Sequence, residues 1–204
     1  MGRVKHTKNE LKRQKDDLKR FIRYLPTLAL KKQQLQAEII RILHARDELE
    51  KQIEIFRESV YKWVAVFAEE VHIEKLVGIE KIRVSTGNIA GIGIPVFEKV
   101  DFRENNYDII KTPLWVDYGI EAIKELATLK ARSRVLEKQL ELVREELRIT
   151  TQRVNLFEKI KIPQARENIR RISIFLGDLQ TAAVVTGKIS KNKIEKKAGA
   201  LASW

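Results

Sequence analysis

Residues 28–63 read LALKKQQLQAEIIRILHARDELEKQIEIFRESVYKW. Leu28, Leu35, Ile42, Leu49, Phe56 and Trp63 recur every seven residues without a miss. Four positions on from each lies a companion row of Lys32, Ile39, Arg46, Ile53, Val60 and Phe67, apolar at four of its six places. Two apolar rows at this spacing form one stripe on an α-helix, the seam of a coiled coil. Lys32 and Arg46 are expected to bend their charged heads toward solvent. Upstream, Leu11, Leu18 and Leu25 keep the seven-residue step, and Thr7-Lys8-Asn9-Glu10 has the pattern of a capping box. Pro26 predicts a kink or short break, because it removes one backbone hydrogen bond and crowds the preceding turn. A helix from about Thr7 to about Lys75 would be roughly 100 Å long at 1.5 Å per residue, beyond the helices of an ordinary globule. Length alone predicts a rod.

A second long pattern follows Thr112-Pro113, which reads as an N-cap with proline at the first helical position. Leu129, Leu136, Val143, Thr150 and Phe157 make one row; Leu126, Ser133, Leu140, Leu147 and Val154 make the other. At Pro163 a further kink is expected. Beyond it the stripe resumes one step out of phase as Ile162, Ile169, Leu176 and Ala183, beside Ala165, Ile172 and Leu179. Such a slip changes the local supercoil winding.

Neither stripe can be hidden by its own helix, so each needs a partner, and the chain supplies one. The fold class expected is mainly α: a long antiparallel two-helix coiled coil with a short β-hairpin between the helices. The expected divisions are a first helix over 7–77, a hairpin region over 78–111, a second helix over 112–186 and a basic, weakly ordered tail over 187–204. If the helices end near Lys75 and begin near Trp115, facing residue numbers sum to about 190, which sets Pro26 level with Pro163 and Leu49 close to Leu140. In the hairpin, Ile79–Val84 and Ile94–Val100 read as short strands around the turn-rich stretch Ser85–Gly93.

The 204 residues carry a net charge of +12, unevenly placed. Residues 1–32 hold 11 Lys/Arg against 3 Asp/Glu, residues 159–204 hold 10 against 3, and the middle holds 19 against 22. An antiparallel pairing brings both basic ends together and leaves the hairpin, Trp63 and Trp115 at the opposite end. The absence of cysteine excludes disulfides and thiolate metal sites. No signal peptide is expected after Met1, His6 stands where a myristoylation motif wants Ser or Thr, and no apolar run is read as long enough to span a membrane.

Catalytic chemistry finds no footing. His6, His44 and His72 are too scattered to share a metal. Gly87, Gly91 and Gly93 lack the following Gly-Lys-Ser/Thr of a phosphate loop, and Gly187-Lys188-Ile189-Ser190 lacks the upstream glycine. Glu69-Glu70 is read as solvated helix surface. The basic ends fit nucleic acid, an anionic membrane surface, or a protein sleeve that takes the positive end by oriented docking. Against nucleic acid, they lack interleaved aromatics and any known binding module.

The run Thr151-Gln152-Arg153-Val154-Asn155-Leu156-Phe157-Glu158, followed by Ile162-Pro163 and Glu167-Asn168-Ile169, resembles the C-terminal helix of the D subunit of the V-type (V/A-type) rotary ATPases. Thr7, the Leu11/Leu18 stripe and Leu28 through Leu35 resemble that family's opening more loosely, with Gln33 and Gln34 where acidic residues are common. The helix–hairpin–helix layout matches over nearly the whole chain. Leu179–Lys188 departs from the family's charged ending, as in a divergent bacterial branch. The F-type gamma subunit's N-terminal signature is absent.

The resemblance implies a non-catalytic central rotor shaft, without cofactor or metal, that transmits torque in ATP-coupled proton or sodium transport on the cytoplasmic side of a membrane. It implies that the basic end enters the hexamer of catalytic A and B subunits, with Lys12, Arg13, Lys19, Arg20, Arg153, Asn155, Arg166, Arg170 and Arg171 at that interface. It implies that the smaller F subunit binds alongside and that a funnel-shaped adaptor takes the other end. Trp63, Phe67, Ile92, Phe97 and Trp115 are the candidates for those two contacts. The alternative is a basic coiled-coil adaptor that binds nucleic acid.

Overall fold

The computed structural model describes residues 4–62, 73, 76–104, 113 and 115–201. Helix α1 runs over Lys8–Tyr61, strands β1 and β2 over Val77–Ile89 and Ile92–Glu104, and helix α2 over Trp115–Asn155. A π-helical turn over Leu156–Lys161 joins α2 to helix α3, Ile162–Leu201. The architecture is the expected antiparallel helix pair with a two-stranded antiparallel hairpin between the helices. The chain divides into a terminal unit, Met1–Ala29 with Gln152–Trp204, and a central unit, Leu30–Thr151.

Helix α1 begins as its sequence dictates. The Glu10 amide donates to Thr7 Oγ1 at 3.2 Å, satisfying one of the free N–H groups of the first turn. The reciprocal half of the capping box does not form; Glu10 instead accepts from Gln14 Nε2 at 2.8 Å. Pro26 lies inside α1 without ending it, so the expected break is absent. Arg46, on the seam, turns its guanidinium outward to Asp47 and Glu50, at 3.1 and 3.3 Å. Trp63, Phe67, His72 and Thr112, and with them the expected course of the first helix to 77, lie outside the described residues or depend on residues that do.

The seams are buried as the spacing requires. Leu35, Ile42, Leu49, Leu140, Val143 and Val154 are buried; Leu28, Phe56, Leu129, Leu136 and Leu147 are half-buried beside them. In the central unit Lys31 Nζ meets Glu146 Oε1 at 2.6 Å. In the terminal unit the Phe21 and Phe157 rings lie 5.2 Å apart, those of His6 and Phe175 5.0 Å apart, and Asn168 Nδ2 donates to Gln14 Oε1 at 3.2 Å. These pairs set the sum of facing residue numbers near 180 in each unit, not 190. Pro26 therefore faces the neighbourhood of Val154, and the two prolines are not level. The figure of 190 rested on assumed helix ends, and ends are the part that periodicity does not define.

The hairpin differs more. Its strands are 13 residues each, pairing from Val77↔Glu104 to Ile89↔Ile92, so Thr86, Gly87 and Asn88 are strand and not loop. The turn has two residues, Ala90 at φ 50° and Gly91 at φ 84°, the left-handed pair that suits the twist of a hairpin. Asn88 Oδ1 accepts from the Gly91 amide at 2.9 Å. At Gly87 a Cβ would lie 2.7 Å from Val96 Cγ2, so the strands close there only because glycine has none.

The hairpin does not stand at the far end of the helix pair but lies back along it. Near its base, Val77 packs with Val116 and Ile120, with Phe102 and Trp115 alongside. Near its tip, Ile94 packs with Leu35, Ile42, Leu140 and Val143, joined by Ile89, Ala90 and Ile92. From Val116 to Val143 a helix rises about 40 Å, which is also the length of a 13-residue strand at about 3.3 Å per residue. Buried Gln139 donates its Nε2 to the Pro95 carbonyl at 2.5 Å and pins the tip.

Helix α3 continues through Gly187 to Leu201 rather than ending at Thr186. Glycine inside a helix costs only about 1 kcal/mol against alanine, and the surrounding Lys and Ala residues are good helix formers.

Two outcomes follow from this packing. Ile42→Cys with Leu140→Cys forms an intrachain disulfide on oxidation, read by gel mobility, whereas Leu49→Cys with Leu140→Cys does not. Thr150 is 1% exposed and its hydroxyl has no hydrogen-bond partner among the described residues. Thr150→Val removes that unmet group without changing the shape, and chemical denaturation reads a gain of about 1–2 kcal/mol.

Candidate functional site

The side chains that sequence reasoning assigned to the basic end share one property. Lys12, Arg13, Lys19, Arg20, Arg153, Asn155, Arg166, Arg170 and Arg171 are all exposed. Each lies in the terminal unit. Arg20 pairs with Asp17 at 2.7 Å and Arg171 with Glu167 at 2.8 Å, both along their own helices. Lys12, Arg13, Lys19, Arg153, Arg166 and Arg170 have no acidic partner among the described residues. Exposed pairs of this kind add little stability.

The two units differ sharply in charge. The terminal unit holds 20 Lys/Arg against 7 Asp/Glu, a net of +13; the central unit holds 20 against 21, a net of −1. The whole net charge of the protein is thus carried by the terminal unit. A surface with so much unpaired positive charge attracts anionic groups over about a Debye length and does so less at high salt.

The same unit carries an apolar surface that sequence reasoning missed. On α3, Ile174, Phe175, Leu179, Val184, Val185, Ile189 and Ile194 are exposed large hydrophobics. By length and composition, one stretch within Trp115–Lys196 is apolar enough to cross a membrane, contrary to the reading that no run approaches that length, and little of it is buried. Asp178, Gln180 and Lys188 interrupt the α3 part, which hid it from a search for an unbroken run.

The remaining candidates separate. Ile92 packs at the hairpin tip with the Leu35–Val143 cluster, whereas Trp115 packs with the Val77–Ile120 cluster at the base; they do not form one surface. Half-buried Phe97 pairs with Val84 within the sheet. Near the base, Phe56, Val60, Ile73, Ala122, Ile123 and Leu126 line an open apolar groove. On the sheet, Arg83 and Lys99 both contact Asp101, and the Arg83 guanidinium holds the Asp101 carboxyl below its ordinary range, with Lys99 adding to the effect. With its folded pKa depressed, Asp101 favours the folded hairpin at neutral pH and loses that contribution as the pH falls below about 4.

No group of His, Cys, Asp and Glu suited to a metal occurs among the described residues. His6 and His44 are exposed and far apart in sequence, and Gly87, Gly91 and Gly93 serve the hairpin.

The family model for the ATP synthase D subunit matches residues 10–192. The chain is 45% identical over 197 residues to the V-type ATP synthase D subunit of Borreliella burgdorferi, covering 97% of this chain and 98% of that one. It is 34% identical over 199 residues to the protein of the same name from Chlamydia caviae, covering 96% of each. Against the Chlamydia pneumoniae protein it is 36% identical over 195 residues, covering 94% and 93%. With the family pattern running through both helices and the hairpin, the chain belongs to the family of V-type ATP synthase D subunits.

Proposed function

We propose that the chain is the central-stalk rotor subunit of a V/A-type rotary ATPase, passing torque between the catalytic A/B hexamer and the membrane rotor ring in ATP-coupled proton or sodium transport. It takes no part in ATP chemistry itself. The observation that carries this reading is the partition of charge: a terminal unit of net +13 with an exposed apolar α3 surface, against a central unit of net −1. Scattered weak, salt-screened contacts centre the basic unit in the hexamer without locking it, while the apolar side chains of α3 add desolvated contact.

The nine basic-end residues, Lys12 through Arg171, face the A and B subunits in this reading. The F subunit binds alongside, where Ile92 and Phe97 lie on the hairpin. The funnel-shaped adaptor takes Trp63, Phe67 and Trp115. The protein sits on the cytoplasmic side, peripheral to the membrane and held there by the complex. Because a two-helix pair is not rotationally symmetric, it presents a different face to each catalytic site as it turns, and that difference in contact biases each site in sequence.

The test is charge reversal at Lys12, Arg13, Lys19 and Arg20 together. Those residues are exposed, so folding is unaffected by circular dichroism. Co-purification with the catalytic hexamer, or ATP-driven rotation of the assembled complex, falls by about tenfold or more, and more steeply at higher salt. Unchanged rotation rejects the reading. Tight, salt-dependent binding of duplex DNA by the isolated protein at physiological ionic strength, with no co-purifying hexamer, favours the nucleic-acid adaptor instead.

A further inference from the structure

The seam of the second helix contains one residue too many. Its seam rows, buried or half-buried at every place, step 143, 147, 150, 154 and 157, alternating four and three, then jump five to 162 before resuming as 165, 169, 172 and 176, with half-buried neighbours such as 146, 149 and 168 flanking them. The first helix shows no such jump: 11, 14, 18, 21, 25, 28, 32 and 35 alternate three and four straight through Pro26. An extra residue in a regular α-helix would swing everything beyond it by about 100° and carry the seam off its partner. Here it does not, because the six residues Leu156–Lys161 form a π-helical turn, in which the Ile162 amide donates to the Phe157 carbonyl five residues back. Val154 before the turn and Ile162, Ala165 and Ile172 after it all remain buried.

Pro163 stands one residue past Ile162, which closes the turn, and has no N–H to give to Glu158 or Lys159. A wider turn also relieves the clash that a proline ring makes with the carbonyl four residues back. No residue of the turn is buried, and Leu156 and Ile160 are 39% and 51% exposed. Phe157, against Phe21, is its inward contact. The turn thus closes its backbone bonds five residues back, not four, and is lightly packed, with buried seam residues on either side.

We propose that Leu156–Lys161 is a torsional joint: the place in the second helix where twist about the helix axis is taken up, by local opening and by passing the surplus residue along the turn, while the seams beyond it stay packed. The joint stands on helix geometry alone; that its twist serves rotation rests on the shaft reading above.

The test uses hydrogen exchange by mass spectrometry on the isolated full chain, which is independent of any partner. In the unaltered protein the amides of 156–162 exchange at least tenfold faster than those of 143–150. Deleting Lys159 together with Pro163→Ala restores an unbroken three–four step and turns the joint into α-helix. The exchange there slows at least tenfold, and the melting temperature does not fall. Deleting Glu141, an exposed residue of α2, serves as control; it throws the seam out of phase and lowers the melting temperature. Exchange in the unaltered turn as slow as in 143–150 overturns the proposal. So does a Lys159 deletion with Pro163→Ala that melts as low as the Glu141 deletion.

Discussion

Every part of this structure depends on two apolar stripes that must face each other. Neither helix can hide its own row, which in the central unit the hairpin helps to cover, and a fully buried Leu, Ile or Val contributes about 1.5–3 kcal/mol. Leu35 and Val143 in the central unit and Ile172 in the terminal unit are sealed from solvent, and each is a member of a seam row. The three–four spacing decides which residues can occupy those places. Arg46 shows the tolerance of the arrangement, since it sits on the seam and its guanidinium reaches Asp47 and Glu50. The π-helical turn shows its stringency. With a surplus residue in the second helix, the backbone shifts to π-helical bonding over six residues and the stripe stays in phase.

The hairpin is the second constraint. It lies along the helix pair of the central unit over about 40 Å, with its tip held by Ile94 and by the bond from Gln139 to Pro95. This placement was not legible in the sequence. The inward residues Ile89, Ile92 and Ile94 are few, and the glycines between them read as loop because a strand seldom uses them. Gly87 becomes intelligible only when Val96 is seen against it. Likewise the two seams were plain from spacing alone, while their register was not, because spacing fixes which face of a helix is buried but not which level meets which. The capping pattern at Thr7 was right for its hydroxyl and wrong for Glu10, whose carboxylate finds Gln14 first.

For function, the informative features were of two kinds. The basic residues could be located by counting along the chain, and the structure collects them in one unit on exposed positions. The apolar surface of α3 could not be found by looking for an unbroken greasy run, because Asp178, Gln180 and Lys188 divide it; it emerges once the helix and its exposed face are known. Charge and exposed apolar side chains thus occur together in the terminal unit of a chain that belongs to the family of V-type ATP synthase D subunits.

The pairing of the seams within one molecule is tested most directly by dipolar distances between spin labels on the terminal unit. Labels at Lys19 and Lys161 stand at one level in a register near 180, so their distance is the shorter one. A second pair, at Lys19 and Arg171, is about ten residues out of level, or about 15 Å along the helix, and reads longer. Dilution with unlabelled chain leaves both distances in place. A shorter distance for Lys19 and Arg171, or distances that vanish on dilution, contradicts the account.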